Sequence, residues 1–312
     1  MSVRIVTDST ADLSPQLAQE LRIAVVPVYV RFGDNSYRDG IEIGYDELYD
    51  KLITSPIHPS TSQPTPVDFA KVYQELAGET DEIISIHVSG KLSGTYSSAL
   101  QGKKLIDTKT NIAVIDSESV TMGLGIIAIS AARLALLNAS LTGILEDIKQ
   151  SKINMRLLGA LDTLKYLALG GRIGRARALL GSVLNVKPLI TIRNGEIAPI
   201  GNVRTHTKAV EKLFEFVKGA SNIQDLAIIH NTTPDDAVSL KDRLSSFVSS
   251  DRLYMARLGP ALGVHAGPGT LAVVIKYDAG KTQPKEPASA LFTKKIAVPP
   301  LHLPKINLPS RR

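Results

Sequence analysis

The first half of the chain alternates short apolar runs with stretches in which apolar residues recur at helical spacing. The runs that predict β-strands are VRIVTDS, IAVVPVYVRFG, EIISIHV and NIAVID. The stretches that predict α-helices are SPQLAQELR, GYDELYDKLI, PVDFAKVYQELA, TYSSALQGKKLI and the residues from Met122 to Asn138. Strands and helices in this order predict a parallel sheet that is covered by helices.

Two helix starts in this half carry recognisable capping residues. Ser14 has the side chain of an N-cap, and Pro15 suits the first helical position because its ring already holds a helical φ. Thr65 and Pro66 repeat the combination after a loop of Ser, Thr and Pro residues. We therefore expect helices to begin at Pro15 and near Pro66.

The pattern changes in the second half of the chain. The segment MRLLGALDTLKYLALGGRIGRARALLGSVL predicts a strand and two helices, and Asn194-Gly195 between apolar segments is a hairpin signal. The segments that follow predict a helix, a strand, a helix and two strands: THTKAVEKLFEFVKGA, DLAIIHN, PDDAVSLKDRLSSFV, RLYMARLG and TLAVVIKY. Hairpins mixed with helices predict an α+β domain whose sheet is mixed and largely antiparallel.

These patterns divide the chain into three parts. Its 312 residues are enough for two domains of ordinary size. We expect an N-terminal α/β/α domain over residues 1–150, a C-terminal α+β domain over 151–279 and a Pro-rich basic tail over 280–312. The tail lacks periodicity, so an extended or disordered conformation is expected.

The net charge of +6 belongs to this tail. Residues 280–312 contain seven Lys or Arg residues and a single Glu, so the preceding part of the chain is formally neutral. A neutral body argues against nucleic acid as a partner. For the basic tail, both a solubilising extension and transient contact with an anionic lipid surface stay open.

Composition also excludes several kinds of site. The absence of cysteine excludes disulfides, thiolate metal sites and cysteine nucleophiles, and the six histidines show no metal-ligand spacing. The N-terminus lacks a signal-peptide pattern, and the most apolar helix, from Met122 to Leu137, is short and contains Arg133. We expect a cytoplasmic protein without a metal, a cofactor or a stable membrane insertion.

The polar stretch VSGKLSGTYSSA, residues 88–99, lies between a predicted strand and a predicted helix. Ser93, Gly94 and Thr95 would stand at the helix start, where unpaired N–H groups and the helix dipole favour an anion. The order of residues matches neither a P-loop nor the Gly-x-Ser-x-Gly nucleophile elbow. This stretch alone leaves open a plain helix cap, an anion site and a serine nucleophile.

Other candidate residues lie in three further stretches and at two strand ends. Thr61 and Ser62 are hydroxyl donors in the stiff loop STSQPTP, and His265 stands among glycines and prolines in GVHAGPG. Arg172 follows a glycine pair in GGRIGR. Asp8 and Asp116 end predicted parallel strands, where ligands usually bind, although capping of the following helices is the favoured explanation for both.

Taken together, these stretches resemble the DegV family. The matching motifs are VTDSTADL, STSQPTP, VSGKLSGTYSSA, VIDSESVTMGLG, LKYLALGGRI and GVHAGPG, in that order, and they span roughly residues 3–277. The resemblance implies a two-domain α/β protein that holds a long-chain fatty acid between its domains. It also implies an acyl-carrying subunit, which presents the carboxylate to a separate ATP-binding fatty acid kinase subunit that makes acyl phosphate for phospholipid synthesis.

The resemblance further implies roles for individual residues, none of them catalytic. The residues implied at the carboxylate are Thr61, Ser93, Gly94 and His265, with Ser62 and Thr95 as further ligand-site residues. Arg172 and Arg204 are implied to face the kinase subunit. The sequence departs from the family at Ala266, where a hydroxyl residue is common, in the weakly basic LALGGRI and in the tail.

Two other functions stay open from the sequence. A serine hydrolase or acyltransferase would use Ser93 with His265 and an acid such as Asp116, but the nucleophile elbow and a clear oxyanion hole are missing. A regulatory protein that senses lipid without a kinase is the other alternative.

Overall fold

The computed structural model describes residues 3–179 and 186–278 of the chain. In this range the fold is the predicted α/β arrangement, with one parallel sheet and one mixed, largely antiparallel sheet. The tail predicted at 280–312 and the end of the second helix predicted after Gly170 lie outside the described residues.

The N-terminal sheet has four parallel strands in the order β2-β1-β6-β7. These strands are β1 (Arg4–Asp8), β2 (Ile23–Val26), β6 (Glu82–His87) and β7 (Asn111–Asp116). The helices around this sheet are α1 (Pro15–Glu20), α3 (Pro66–Ala77), α4 (Thr95–Lys104), α5 (Met122–Leu136) and α6 (Leu141–Asn154). Both capping predictions are confirmed, because Ser14 accepts from Leu17 N–H and Thr65 forms a capping box with Asp68.

The alternation of side chains along β1 places helices on both faces of this sheet. Ile5 packs with the buried residues of α5, whereas Val6 packs with Phe69 and Tyr73 of α3. The sheet is therefore the middle of three layers, as the sequence pattern predicts for a parallel sheet.

The segment IAVVPVYVRFG forms two strands, so its prediction as a single strand is wrong. β2 ends at Val26, and Pro27, which has no N–H to donate, lies between β2 and the next strand. A separate antiparallel sheet then joins β3 (Tyr29–Phe32), β4 (Asn35–Arg38) and β5 (Ser60–Ser62), with α2 (Tyr45–Thr54) between the last two. This small sheet positions Thr61, a predicted site residue, on β5.

The C-terminal sheet has six strands in the order β10-β9-β8-β13-β11-β12, and only the β11–β12 pair is parallel. Its strands are β8 (Met155–Ala160), β9 (Lys187–Arg193), β10 (Glu196–Val203), β11 (Ile223–His230), β12 (Leu253–Arg257) and β13 (Leu271–Tyr277). The predicted hairpin joins β9 to β10, and Asn194 and Gly195 have φ of 52° and 76°, as a type I′ turn requires.

Four helices complete the described fold of the second half. They are α7 (Lys165–Leu169), α8 (His206–Lys218), α9 (Pro234–Leu244) and α10 (Pro260–Ala266). The second helix predicted after Gly170 is instead a 3-10 segment, Gly174–Leu179. Gly171 and Gly174 have φ of 70° and 50°, which turns the chain out of an α-helix.

Helix α5 lies between the two large sheets. Its Leu124, Ile127 and Ala128 pack on the N-terminal sheet, and Met122, Ile126 and Ile129 pack on Leu157, Ile229 and Val274 of the C-terminal sheet. This explains why the helix is apolar on all sides. Among the described residues, we find no helix with the length and apolar character needed to cross a membrane.

Candidate functional site

A pocket of about 130 Å³ between the sheets brings together most of the predicted site residues. Its polar end is lined by Thr61, Ser62, Gln63, Ser93, Arg172 and His265. The rest of its wall is mainly apolar and includes Val88, Leu92, Leu157, Leu161, Ile190, Ile192, Leu258 and Leu262. A polar end on an apolar pocket suits an elongated ligand with one polar group.

Thr61 and His265 meet across the pocket although 204 positions separate them in the sequence. Thr61 Oγ1 lies 2.8 Å from His265 Nε2, within hydrogen-bond distance. The pairing of β5 with β3 fixes Thr61, and the last turn of α10 fixes His265. The polar end of the pocket therefore combines a strand of the small sheet with a helix from the second half.

His265 is neutral at pH 7. Burial is the main cause that lowers the pKa of its imidazole to about 4, and the cationic Arg172 and the nearby His58 lower it further. Its Nδ1 is buried and has no hydrogen-bond partner within the described residues. That side of the ring lies against Gly170, where a Cβ atom would overlap Nδ1. A glycine at 170 is thus required for this ring position.

Ser93 belongs to the turn that leads into α4. Its hydroxyl lies 2.8 Å from the Thr95 hydroxyl and accepts a longer hydrogen bond, 3.3 Å, from Thr95 N–H. Thr95 is fully buried, Gly94 lies against the Gln63 side chain, and neither is among the residues that line the pocket. Ser93 thus faces the pocket, while the other two residues lie behind it.

The two predicted arginines lie in different places. Arg172 lines the polar end of the pocket, where Nε donates to Leu92 O at 3.2 Å and Nη1 donates to Gly170 O at 2.7 Å. Arg204 is exposed between β10 and α8 and does not line this pocket. Arg172 therefore adds positive charge at the polar end and joins two loops there.

The residues of the hydrolase alternative do not form a catalytic triad. The Asp116 carboxylate accepts from the N–H groups of Gly90 and Glu118, at 3.1 and 2.8 Å, and makes no hydrogen bond to His265. His265 Nε2 instead contacts the Thr61 hydroxyl. Ser93 therefore lacks the base and the orienting acid that an attacking serine requires.

A Ser-His-Asp chain does exist, but it is buried in the core. Asp8 Oδ2 lies 3.0 Å from His87 Nδ1, His87 Nε2 lies 2.6 Å from Ser85 Oγ, and Tyr73 donates to Ser85 at 2.8 Å. All four side chains are fully buried, and none lines the pocket. The chain satisfies polar groups inside the sheet, and Asp8 also caps the following turn by accepting from Thr10 N–H.

Sequence reasoning missed the residues that hold α10 in place. Asp12 accepts from Gly259 N–H at 2.8 Å and from the Thr121 hydroxyl at 2.5 Å. Asp39 accepts from Ala261 N–H at 3.1 Å. Burial raises the pKa of Asp12 to about 8 and that of Asp39 to about 6. The two carboxyl groups fix the start of α10, whose last turn contains His265. For Asp12, the sequence signal was the run of polar residues after β1.

No group of three or more His, Asp or Glu side chains suited to a metal ion occurs among the described residues. The polar groups of the pocket are therefore hydroxyls, the Gln63 amide, one neutral imidazole and one guanidinium. These groups recognise an anion by hydrogen bonding and charge.

Comparison with known proteins agrees with this architecture. The family model that matches is described as "Uncharacterised protein, DegV family" and covers residues 2–278. A DegV domain-containing protein of Deinococcus radiodurans is 36% identical over 282 residues, which cover 88% of this chain and 99% of that protein.

Two solved structures are similar over nearly their whole length. A DegV family protein from Thermus thermophilus, described by its fatty acid binding, has a TM-score of 0.83 and 32% identity, covering 89% of this chain and 100% of that one. DegV from Bacillus subtilis, described as a fatty acid binding protein, has a TM-score of 0.80 and 30% identity with the same coverage of both chains, 89% and 100%. The family match and the extended similarity to these relatives show that this chain belongs to the DegV family.

Proposed function

We propose that this protein binds a long-chain fatty acid in the pocket between the sheets. The observation that carries the proposal is that Thr61, Ser93 and His265 line one pocket whose wall is mainly apolar, with Thr61 and His265 in contact. The Thermus thermophilus and Bacillus subtilis relatives, both described as fatty-acid-binding, support the same ligand class. The carboxylate lies at the polar end and the acyl chain follows the apolar wall.

The physical chemistry of the polar end fits a carboxylate. Hydroxyl groups donate to the anion, and Arg172 supplies a positive charge at the same end. Because His265 stays neutral, the site holds its ligand with one full cation and several neutral donors. Burial of the chain contributes about 0.8 kcal/mol per CH₂ group before the costs of association, so affinity comes mainly from the apolar wall.

In this function the nucleophile is the carboxylate of the bound fatty acid and not a side chain of the protein. We infer that a separate ATP-binding kinase subunit phosphorylates it and that this chain is the non-catalytic binding subunit. The exposed Arg204 suits contact with such a partner. Arg172 also stands at the end of the pocket through which a kinase would reach the carboxylate.

The proposed binding mode implies that the pocket lies between two domains. The strands that end by residue 116 join the N-terminal sheet or the small sheet, whereas every described strand from Met155 onward joins the C-terminal sheet. We therefore infer domains over 1–150 and 151–279, with the boundary late in α6.

Mass spectrometry of lipid extracted from the purified full-length protein tests the binding function. We expect about one fatty acid per chain, and weaker binding after Ser93→Ala. Protein that purifies without a fatty acid, and whose fatty-acid binding does not change in Ser93→Ala, contradicts the proposal.

The kinase role needs its own assay. With ATP and a kinase subunit from the same organism, the loaded protein should yield acyl phosphate, trapped as the hydroxamate by hydroxylamine. A serine-reactive phosphonate should leave Ser93 unmodified; an adduct there would favour the hydrolase instead.

A further inference from the structure

A second and larger cavity, of about 810 Å³, lies between α6 and α8. It opens where β8 and β9 separate. The two strands pair only through Gly159–Ile190 and Ala160–Leu189, whereas β8 pairs with β13 along its whole length. Beyond the paired residues, the Thr191 hydroxyl donates to Leu157 O at 2.6 Å. The separation of the strands exposes the first residues of β8 to this cavity.

The floor of the cavity is apolar. The floor residues are Leu145, Ile148, Met155, Leu157, Ile192, Ile200 and Phe216. Leu157 and Ile192 also line the first pocket, so they form a wall that the two cavities share. The volume falls within the range of roughly 300–1,000 Å³ that is typical of sites for small molecules.

The rim of the cavity is basic. Five basic residues and one acid line it: Lys149, Lys152, Arg156, Arg193, Lys212 and Glu118. These residues come from α6, β8, β9 and α8, so the positive charge surrounds the cavity on several sides.

The three lysines of the rim each form an ion pair with a glutamate. Lys152 lies 2.8 Å from Glu118, Lys149 lies 3.6 Å from Glu146, and Lys212 lies 2.6 Å from Glu215. Ion pairs near the protein surface are worth little, so a competing anion can replace these glutamates.

Arg156 lies in the sequence between two residues of the apolar floor, Met155 and Leu157. Its Nη1 donates to Ile153 O and Met155 O, at 2.7 and 2.8 Å, which fixes the guanidinium at the cavity wall. A guanidinium has five N–H donors, and its planar fork matches phosphate and carboxylate oxygens.

We propose that this cavity is a second binding site, specific for an anionic amphiphile with an alkyl chain and a phosphate or carboxylate head. The head is held by the basic rim and the chain by the apolar floor. Because the site has its own lining, it does not depend on Thr61, Ser93 or His265. Its occupancy is coupled to the first pocket only through the shared side chains of Leu157 and Ile192.

Methionine methyl groups provide a local reporter for this site. Of Met122, Met155 and Met255, only Met155 lines the cavity, whereas Met255 lies on β12 at the far edge of the sheet. The full-length protein is labelled with ¹³C at the methionine methyls and titrated at pH 7 with monomeric dodecyl phosphate. We expect a saturable shift of the Met155 signal while the Met255 signal stays in place. Dodecanoate in a parallel titration identifies the preferred head group.

Three controls decide between this site and other origins of the signal. Dodecanol and inorganic phosphate, which each lack one half of the ligand, should give no saturable Met155 shift at the same concentrations. Ser93→Ala should leave the Met155 titration unchanged. An equal response to dodecanol, an equal response to inorganic phosphate, or loss of the response in Ser93→Ala overturns the proposal.

Charge variants test the rim directly. Arg156→Gln should raise the apparent Kd for dodecyl phosphate about 10-fold, because a charge-assisted contact is lost. Lys149→Glu should also weaken binding, and folding should be unaffected because Lys149 is exposed. The matched control is Lys218→Glu, an exposed position on α8 that does not line the cavity, and it should bind dodecyl phosphate as the wild type does. A Kd that is the same in the wild type and Lys149→Glu, or no saturable Met155 shift in the wild type, refutes the site.

Discussion

Replacement of Gly170 by alanine tests the geometry of the proposed fatty-acid pocket without removal of any polar group. Gly170 has φ of −76° and ψ of −3°, which alanine adopts without strain. The new methyl group would overlap His265 Nδ1 and lie 2.7 Å from Cε1, so the ring must move. Movement of the ring breaks the 2.8 Å contact between Nε2 and Thr61 and disturbs the polar end.

The size of the effect follows from the contacts that are lost. A hydrogen bond to a charged group is worth about 1.5–3 kcal/mol, and about 1.4 kcal/mol corresponds to a tenfold change in affinity. If the carboxylate loses one such contact, the Kd for a long-chain fatty acid should rise roughly 10- to 100-fold. Overpacking should also lower the free energy of unfolding by about 1–3 kcal/mol.

The assay is calorimetric titration of delipidated protein with palmitate, with urea unfolding of the same samples. Gly78→Ala is the matched control, because its φ of −73° is equally ordinary and its Cβ would lie 3.4 Å from the nearest atom, Glu75 O. The control should bind palmitate as the wild type does. If Gly170→Ala is folded and also keeps the wild-type affinity, His265 and Thr61 do not form the carboxylate site.

Three further predictions concern the hydroxyl groups and the buried acids. Thr61→Val should weaken fatty-acid binding about 10-fold by titration and leave the urea midpoint nearly unchanged; equal affinity would remove Thr61 from the site. Tyr73→Phe, which leaves Ser85 without its donor, should lower the free energy of unfolding by about 1–2 kcal/mol in urea without a change in palmitate affinity, and a weaker affinity would show that the buried chain serves the pocket. Since burial raises the folded-state pKa of Asp12 from 3.8 to about 8, the folded protein holds a proton that the unfolded chain releases, and its stability should fall as the pH rises through this range. Above pH 6.5, where the lowered pKa of His265 no longer contributes, urea unfolding should show a loss of about 1.5 kcal/mol up to pH 8, and an equal loss in Asp12→Asn would contradict the assignment.

Local patterns in the sequence predicted most of the fold. The strand and helix alternation, the capping by Ser14 and the hairpin at Asn194-Gly195 depend on neighbouring residues, so they are readable from a short window. The division of IAVVPVYVRFG between two sheets was missed, because β3 pairs with β5 some 30 positions later. Pro27 was the only local indication.

Resemblance to a family named candidate residues but not their arrangement. Thr61, Ser93 and His265 line one pocket, whereas Gly94, Thr95 and Arg204 do not line it. Arg172 is held in that pocket by its hydrogen bond to Leu92, 80 positions away in the sequence. The spacing of apolar residues along the chain cannot predict such a contact. The second cavity exists because β8 and β9 separate after two paired positions. This separation depends on how the strands pair in the sheet, and no sequence motif marks it.

The position of α5 between the two sheets determines how a ligand is exchanged. Met122, Ile126 and Ile129 attach this helix to the C-terminal sheet, and each buried side chain is worth about 1.5–3 kcal/mol. Separation of the sheets would therefore cost about 5–9 kcal/mol at this contact alone, which is comparable to the stability of a whole domain. Exchange must then proceed by local opening, and the hydrogen bond from Arg172 to Leu92 joins the two loops that would have to part. For a fatty acid bound as proposed, we expect the residence time to be set by opening at this end of the pocket.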